Sequence, residues 1–242
     1  MIIEYHRPSK LSDTLALLTR QEPKTIPLGG GSSVSRGTHD PVAVVDLQDL
    51  DLNQLELRGK THIIGATAKL QALVDWQAFP ILLRQILERE FTLNIRNTAT
   101  VAGSLVRATG KSRFAAALLA LDSQLTWEPG GEVQPLGDWF PLRGKWDKGK
   151  LITGCEFTGE AALRYEDVSR TPMDYPIVGV ALAQWPSGRT RLVILGAGEA
   201  PACVFDGTER DGLVSTAINA CSHLWKSESE FDYAKEIIAL LI

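Results

Sequence analysis

Three consecutive glycines, Gly29-Gly30-Gly31, follow directly on the short apolar segment Thr25-Ile26-Pro27-Leu28 and lead into Ser32-Ser33-Val34. Glycine reaches backbone conformations closed to other residues and lets another group come up against the main chain. A run of three at the end of a strand therefore commits the chain either to a sharp loop or to a concave set of backbone N–H groups suited to an anion. Ser32 and Ser33 would add hydroxyl donors to such a cradle. The Lys-Ser/Thr pair of a P-loop is missing. The glycines also lack the G-x-G-x-x-G spacing that opens a dinucleotide-binding helix. Taken alone, the segment fits a loop or hairpin turn better than an anion site.

A second segment narrows the choice. Asn94-Ile95-Arg96-Asn97-Thr98-Ala99-Thr100-Val101-Ala102-Gly103-Ser104 combines one fixed cation, several short polar side chains and a glycine. A chain that closes over a diphosphate needs this mixture of small donors and approachable backbone. The alternative is a polar surface loop in which Arg96 pairs with an acidic neighbour. Residues 94–110 carry no clear period and are expected to be irregular. Two such segments in one chain fit a ligand of nucleotide size, which composition cannot name.

The surrounding pattern is α+β. Leu11, Leu15 and Leu18 share one helical face over Leu11 to Arg20, with Ser9 or Ser12 as N-cap. Val42 to Asp46 and His62 to Ala66 have the β-branched composition of buried strands. Helices are expected near Lys69 to Asp75, Pro80 to Glu90 and Arg113 to Leu121, and a hairpin around Gly130-Gly131. Longer strands follow from Leu151, and two helices close the chain, with a domain boundary between about Thr158 and Arg170.

Charge and cysteine usage exclude several function classes. A formal net charge of -4 over 242 residues does not suit a general nucleic-acid binder, which needs a basic face to displace counterions. No apolar run is long enough for a membrane span, and Met1-Ile2-Ile3-Glu4-Tyr5 has the look of a strand rather than a signal peptide, so a cytoplasmic location is expected. Three scattered cysteines, Cys155, Cys203 and Cys221, lack the spacing of an iron–sulfur ligand set. The four histidines show no metal-ligand spacing. Trp127, Trp139, Trp146 and Trp185 are more often core residues than stacking partners for a cofactor.

The order of these segments resembles the FAD-binding medium subunit of the carbon monoxide dehydrogenase and xanthine dehydrogenase family of molybdenum hydroxylases. The resemblance is carried by Gly29-Gly30-Gly31-Ser32-Ser33-Val34, Val45-Asp46-Leu47, Ile64-Gly65-Ala66-Thr67-Ala68, Ile95-Arg96-Asn97-Thr98-Ala99-Thr100-Val101-Ala102-Gly103-Ser104 and Ala116 to Ser123. It covers nearly the whole chain, and the I-R-N-x-A-T segment is its most specific part. It implies a two-part FAD-binding domain over 1–160, with subdomains of about 1–55 and 56–160. It also implies a smaller C-terminal α/β domain over 161–242, a three-stranded sheet with helices.

The cofactor implied is FAD, held by Gly29, Gly30, Gly31, Ser32, Ser33, Asn97, Thr100, Val101, Ala102, Gly103 and Ser104. The hydroxyls of Thr100 and Ser104 would be donors to its pyrophosphate. No catalytic acid or base and no metal ligand is assigned to this chain. The implied partners are a molybdenum-cofactor large subunit and a 2Fe-2S small subunit, with electrons passing through FAD to NAD, a quinone or another acceptor. Against the family pattern, Arg113 stands where an aspartate is common and could contact phosphate, and Asp167 replaces a lysine near the flavin ring. These two residues motivate a rival reading, a divergent member that has lost FAD and acts as a nucleotide-binding or assembly component.

Overall fold

In a computed structural model, residues 1–32, 40–145, 149–208, 212–222, 225 and 227–241 are described, and Ser33 lies outside them. The N-terminal lobe is a parallel sheet. Strand β1 (Ile2–His6) leads to helix α1 (Leu11–Leu18), then β2 (Thr25–Leu28) and β3 (Val42–Asp46), in the order β1-β3-β2. Both outer strands run parallel to β3, and α1 lies between β1 and β2 in the chain. The central strand β3 is buried at every position, as its Val-Ala-Val-Val-Asp sequence demands. Helix α1 packs Leu18 against Val45, Leu47 and Leu151. Its N-cap position is Lys10 without a side-chain cap, and Ser12 turns to Asp13 instead, so neither Ser9 nor Ser12 caps the helix.

A five-stranded antiparallel sheet forms the middle of the molecule. Strands β4 (Leu55–Arg58) and β5 (Thr61–Gly65) precede five helices: α2 (Leu70–Asp75), α3 (Ile81–Glu90), α4 (Leu93–Thr98), α5 (Val101–Val106) and α6 (Arg113–Ala120). Strands β6 (Gln124–Glu128) and β7 (Glu132–Pro135) make the expected hairpin, whose Gly130 and Gly131 both have positive φ. After α7 (Leu136–Trp139), β8 (Leu151–Thr158) inserts between β5 and β6, giving the order β4-β5-β8-β6-β7. The stretch expected to be irregular is thus two short helices, α4 and α5, joined through Ala99-Thr100.

The C-terminal sheet is antiparallel and has four strands rather than three: β9 (Ala162–Val168), β10 (Val178–Gln184), β11 (Thr190–Leu195) and β12 (Ala202–Gly207), in the order β12-β11-β10-β9. The fourth strand escapes the sequence pattern because its burial is uneven and its pairing with β11 shifts register between Leu192 and Val193. Helices α8 (Leu213–Cys221) and α9 (Glu228–Leu241) close the chain, and α9 covers one face of this sheet through Ala234 and Ile238. The other face meets α6, whose eight residues are all buried. Alanines at four of them let the helix lie between two layers without a bulky ridge on either side. One apolar core therefore runs from Ile64 and Leu125 through α6 into Ala181 and Val193. Among the described residues no helix is long and apolar enough to cross a membrane.

Candidate functional site

Strand β2 delivers the glycine run to the seam between the N-terminal lobe and the middle sheet. Backbone room is exhausted there. A Cβ on Gly30 would lie 1.7 Å from the Thr98 carbonyl oxygen, and one on Gly29 would lie 2.8 Å from Thr100 Oγ1. Gly31 has φ +75, in the left-handed region that favours glycine. The two segments singled out from sequence are therefore in direct contact, although some seventy residues of chain separate them.

The second segment is held by the Ile64–Ala68 stretch. Val101 N donates to Ala68 O and Ala102 N to Ala66 O, both at 3.0 Å, while Leu70 N donates to Ala99 O at 3.1 Å. Thr100 is the N-cap of α5, and its Oγ1 accepts from Gly103 N at 3.2 Å. Because Ser104 N donates to Thr100 O, the amides of Val101, Ala102, Gly103 and Ser104 all have partners inside the protein. The Thr100 hydroxyl accepts in that cap and keeps its own proton for donation. Ser104 Oγ donates to Val101 O at 2.7 Å, so its hydroxyl proton is spent on the helix.

These elements enclose a cleft of about 470 Å³. Gly29, Gly30, Gly31, Ser32, Thr100, Ala102 and Gly103 line it. Asn97 is exposed on α4, Val101 points into the core, and Ser104 faces its own helix; none of the three lines the cleft. Arg96 does not line it and, among the described residues, pairs with no carboxylate: its Nε donates to Gln71 Oε1 and its Nη1 to Phe91 O. Sequence reasoning missed Thr67 and the cations Arg20, Lys24, Arg107 and Lys150, which also line the cleft. Thr67 sits inside a stretch already matched to the family, but the cations are spread over the chain and form no local pattern.

The lining contains four cations and no carboxylate among the described residues. Arg20 is neutralised by Glu4 at 2.8 Å and Lys150 by Glu132 at 3.0 Å. Lys24 and Arg107 have no carboxylate partner among the described residues, and within these residues the cleft rim is positive. Its floor is apolar, built from Leu18, Ile26, Leu28, Leu47, Leu151 and Ile152. An apolar floor, a glycine wall and a positive rim suit a ligand with a planar apolar part and an anionic part.

Arg113 and Asp167 lie elsewhere. Arg113 Nε meets Asp167 Oδ2 at 2.6 Å, Arg113 Nη2 donates to Asp174 O at 2.6 Å, and Arg89 takes the other Asp167 oxygen at 2.7 Å. The side chains of Arg113 and Asp167 are 1% and 0% exposed, and neither lines the cleft. The two departures from the family pattern are thus partners of each other, joining α6 to β9. Arg113 is not placed to reach a phosphate in the cleft.

Glu90, at the end of α3, accepts from Phe114 N at 2.6 Å and so caps the first turn of α6. Desolvation pushes its carboxyl up from an ordinary 4.5 to about 7. A carboxyl raised on folding contributes stability in full below 4.5, and loses it as pH rises through about 7. Glu90→Gln should therefore gain on the wild type by several degrees in melting temperature between pH 5 and pH 8, on the order of 2–4 °C per kcal/mol. Parallel melting curves of the two proteins across that range would remove the assignment.

Trp127, Trp139 and Trp185 do not line the cleft. Trp127 and Trp139 pack together in the core with ring centroids 5.7 Å apart, and Trp185 lies under Arg189; Trp146 falls outside the described residues. Among the described residues no three His, Cys, Asp or Glu side chains could share a metal ion.

Comparison with known proteins converges on one family. Residues 1–157 match the family described as the FAD binding domain in molybdopterin dehydrogenase. The chain is 30% identical over 142 residues to the protein YgfM of Escherichia coli (strain K12), a match covering 58% of this chain and 54% of that protein. It therefore spans about half the length of that relative. It is 27% identical over 203 residues to the carbon monoxide dehydrogenase medium chain of Afipia carboxidovorans, covering 76% of this chain and 69% of the relative. Among solved structures, quinoline 2-oxidoreductase from Pseudomonas putida 86 superposes with a TM-score of 0.81 at 17% identity, over 99% of this chain and 95% of that one. The cyanide-inactivated Cu,Mo-CO dehydrogenase superposes at 0.78 and 19% identity, over 98% and 95%. At these identities the superpositions establish the fold.

Proposed function

Because the chain belongs to the family of FAD-binding domains in molybdopterin dehydrogenases, we propose that it is the FAD-binding, electron-transferring subunit of a molybdenum-containing hydroxylase. The observation that carries this is the convergence of the glycine run and the α5 N-terminus on one cleft whose lining, among the described residues, holds four cations and no carboxylate. A diphosphate fits that chemistry. Lys24 and Arg107 offer charge, Thr100 offers its remaining hydroxyl proton, and the glycine run lets the phosphates approach the main chain. Since the amides of α5 are already engaged, the glycine run is the natural backbone source for the anion.

Bound FAD supplies a centre that takes electrons singly and releases them as a pair. The chain's own part is to hold it, to shield it and to set its electrostatics. Partner subunits would carry the 2Fe-2S clusters and the molybdenum cofactor, and the final acceptor would be NAD, a quinone or another oxidant. The rival reading, loss of FAD, rests on Arg113 and Asp167. Their mutual pairing outside the cleft weighs against it.

Purified protein is expected to show flavin absorption, or to acquire it on incubation with FAD, and to lose affinity as salt rises because the phosphates meet a positive rim. Absence of flavin bands with no gain after incubation would overturn the proposal.

A further inference from the structure

We propose that Lys69 is a positioning residue for the cofactor cleft, a cation that pins the first glycine segment to the second. The proposal rests on the FAD reading above and adds a residue that neither the sequence pattern nor the cleft lining picks out. Lys69 occupies the N-cap position of α2, and its backbone bridges to Thr100. Its Nζ donates to Thr98 O at 3.0 Å and also lies 3.4 Å from Gly29 O. A single side chain thereby ties the carbonyl that opens the loop after β2 to the carbonyl that ends α4, while its own main chain holds the residue between them.

The ammonium also lies directly behind the glycine run, because a Cβ on Gly30 would come within 3.3 Å of Nζ. Lys69 forms no ion pair within 4 Å among the described residues. Burial pushes its pKa down, and only the field of Asp46 opposes this. Asp46 is itself engaged, accepting from the Tyr5 hydroxyl and from Gln48 N. A partly desolvated ammonium satisfied mainly by neutral carbonyls retains most of its field, and a diphosphate on the far side of Gly30 would feel it. Lysine suits the task because it has three donors on a flexible stem, enough to serve two carbonyls that approach from different directions.

The test compares wild type, K69M and K69R by titration with FAD and with ADP, alongside thermal melts of the free proteins. Methionine keeps the apolar stem and removes donors and charge; arginine keeps both. K69M is expected to bind FAD and ADP at least tenfold more weakly while melting within a few degrees of wild type, and K69R to recover most of that loss. A merely structural lysine would lower the melting temperature and affinity together with no rescue by K69R, and that result overturns the proposal. So does wild-type affinity in K69M. If K69M fails to fold, K69Q takes its place, since it also lacks the charge, and the same two outcomes decide. Failure of wild type itself to bind FAD would instead strike the functional reading.

Discussion

Replacing Asp167 with alanine is expected to destabilise the folded chain by about 3–5 kcal/mol, because it strands the Arg113 guanidinium in a site that water does not reach. The geometry supports the large end of that range. Both Asp167 oxygens are engaged, one by Arg113 at 2.6 Å and one by Arg89 at 2.7 Å, and the carboxylate is 0% exposed. Arg113 would keep the Asp174 carbonyl as a hydrogen-bond partner, with the Glu90 carboxyl also close enough to act on it. Arg89→Ala should cost far less, about 1 kcal/mol, since that side chain is 40% exposed and Asp167 keeps Arg113 as its partner. Removing both buried charges with R113M/D167L should recover most of the loss, as apolar pairs often replace buried ion pairs at little cost. Urea unfolding of the four proteins ranks these costs. A cost for D167A no greater than that for R89A would mean the pair is solvated in solution, and the account of α6 as a charge-latched layer between two sheets would fail.

That pair also marks where the sequence stops being legible. Arg113 and Asp167 are 54 positions apart, on a helix and a strand of different layers, and each alone looks like a departure from the family pattern. Only the fold makes them one compensated exchange. The elements that local pattern does reveal are those with a strong period or composition, such as α1, β3, the β6–β7 hairpin and the alanine-rich α6. Helices α4 and α5 are six residues each, too short to stand on propensity. Helix α5 is held by Ala66 and Ala68, which accept from the amides at its start, and by Thr100, which caps Gly103. The site divides in the same way. Glycine spacing exposes the loop that lines the cleft, whereas the charge of the rim comes from Lys24 and Arg107, whose proximity no local pattern contains. Ser104 fails as a lining residue for a related reason. Once its segment is helical, the nearest acceptor for its hydroxyl is Val101 O, one turn back.

The second large effect is expected from Gly30→Ala, which should weaken FAD binding by on the order of 100-fold or more, about 3 kcal/mol. The added methyl would sit 1.7 Å from the Thr98 carbonyl oxygen, and that oxygen belongs to backbone, which cannot rotate aside. Relief requires the β2 loop and the end of α4 to move apart by more than an ångström, and it is their contact that closes one wall of the cleft. Positioning a diphosphate by two segments at once is steeply sensitive to such a shift, since donors must meet both phosphates within hydrogen-bond reach. Gly31→Ala makes a useful contrast. Its methyl would meet nothing nearer than 3.8 Å, so it bears only the cost of a left-handed backbone at φ +75, about 1 kcal/mol. Gly154→Ala, in the middle of β8 with ordinary contacts from 3.6 Å, should leave FAD affinity unchanged. The order G30A, then G31A, then G154A is the expected ranking of affinity loss in a flavin fluorescence titration. If G30A instead keeps wild-type affinity and melts normally, the two segments do not grip the cofactor together, and a cleft built from their contact cannot be its site.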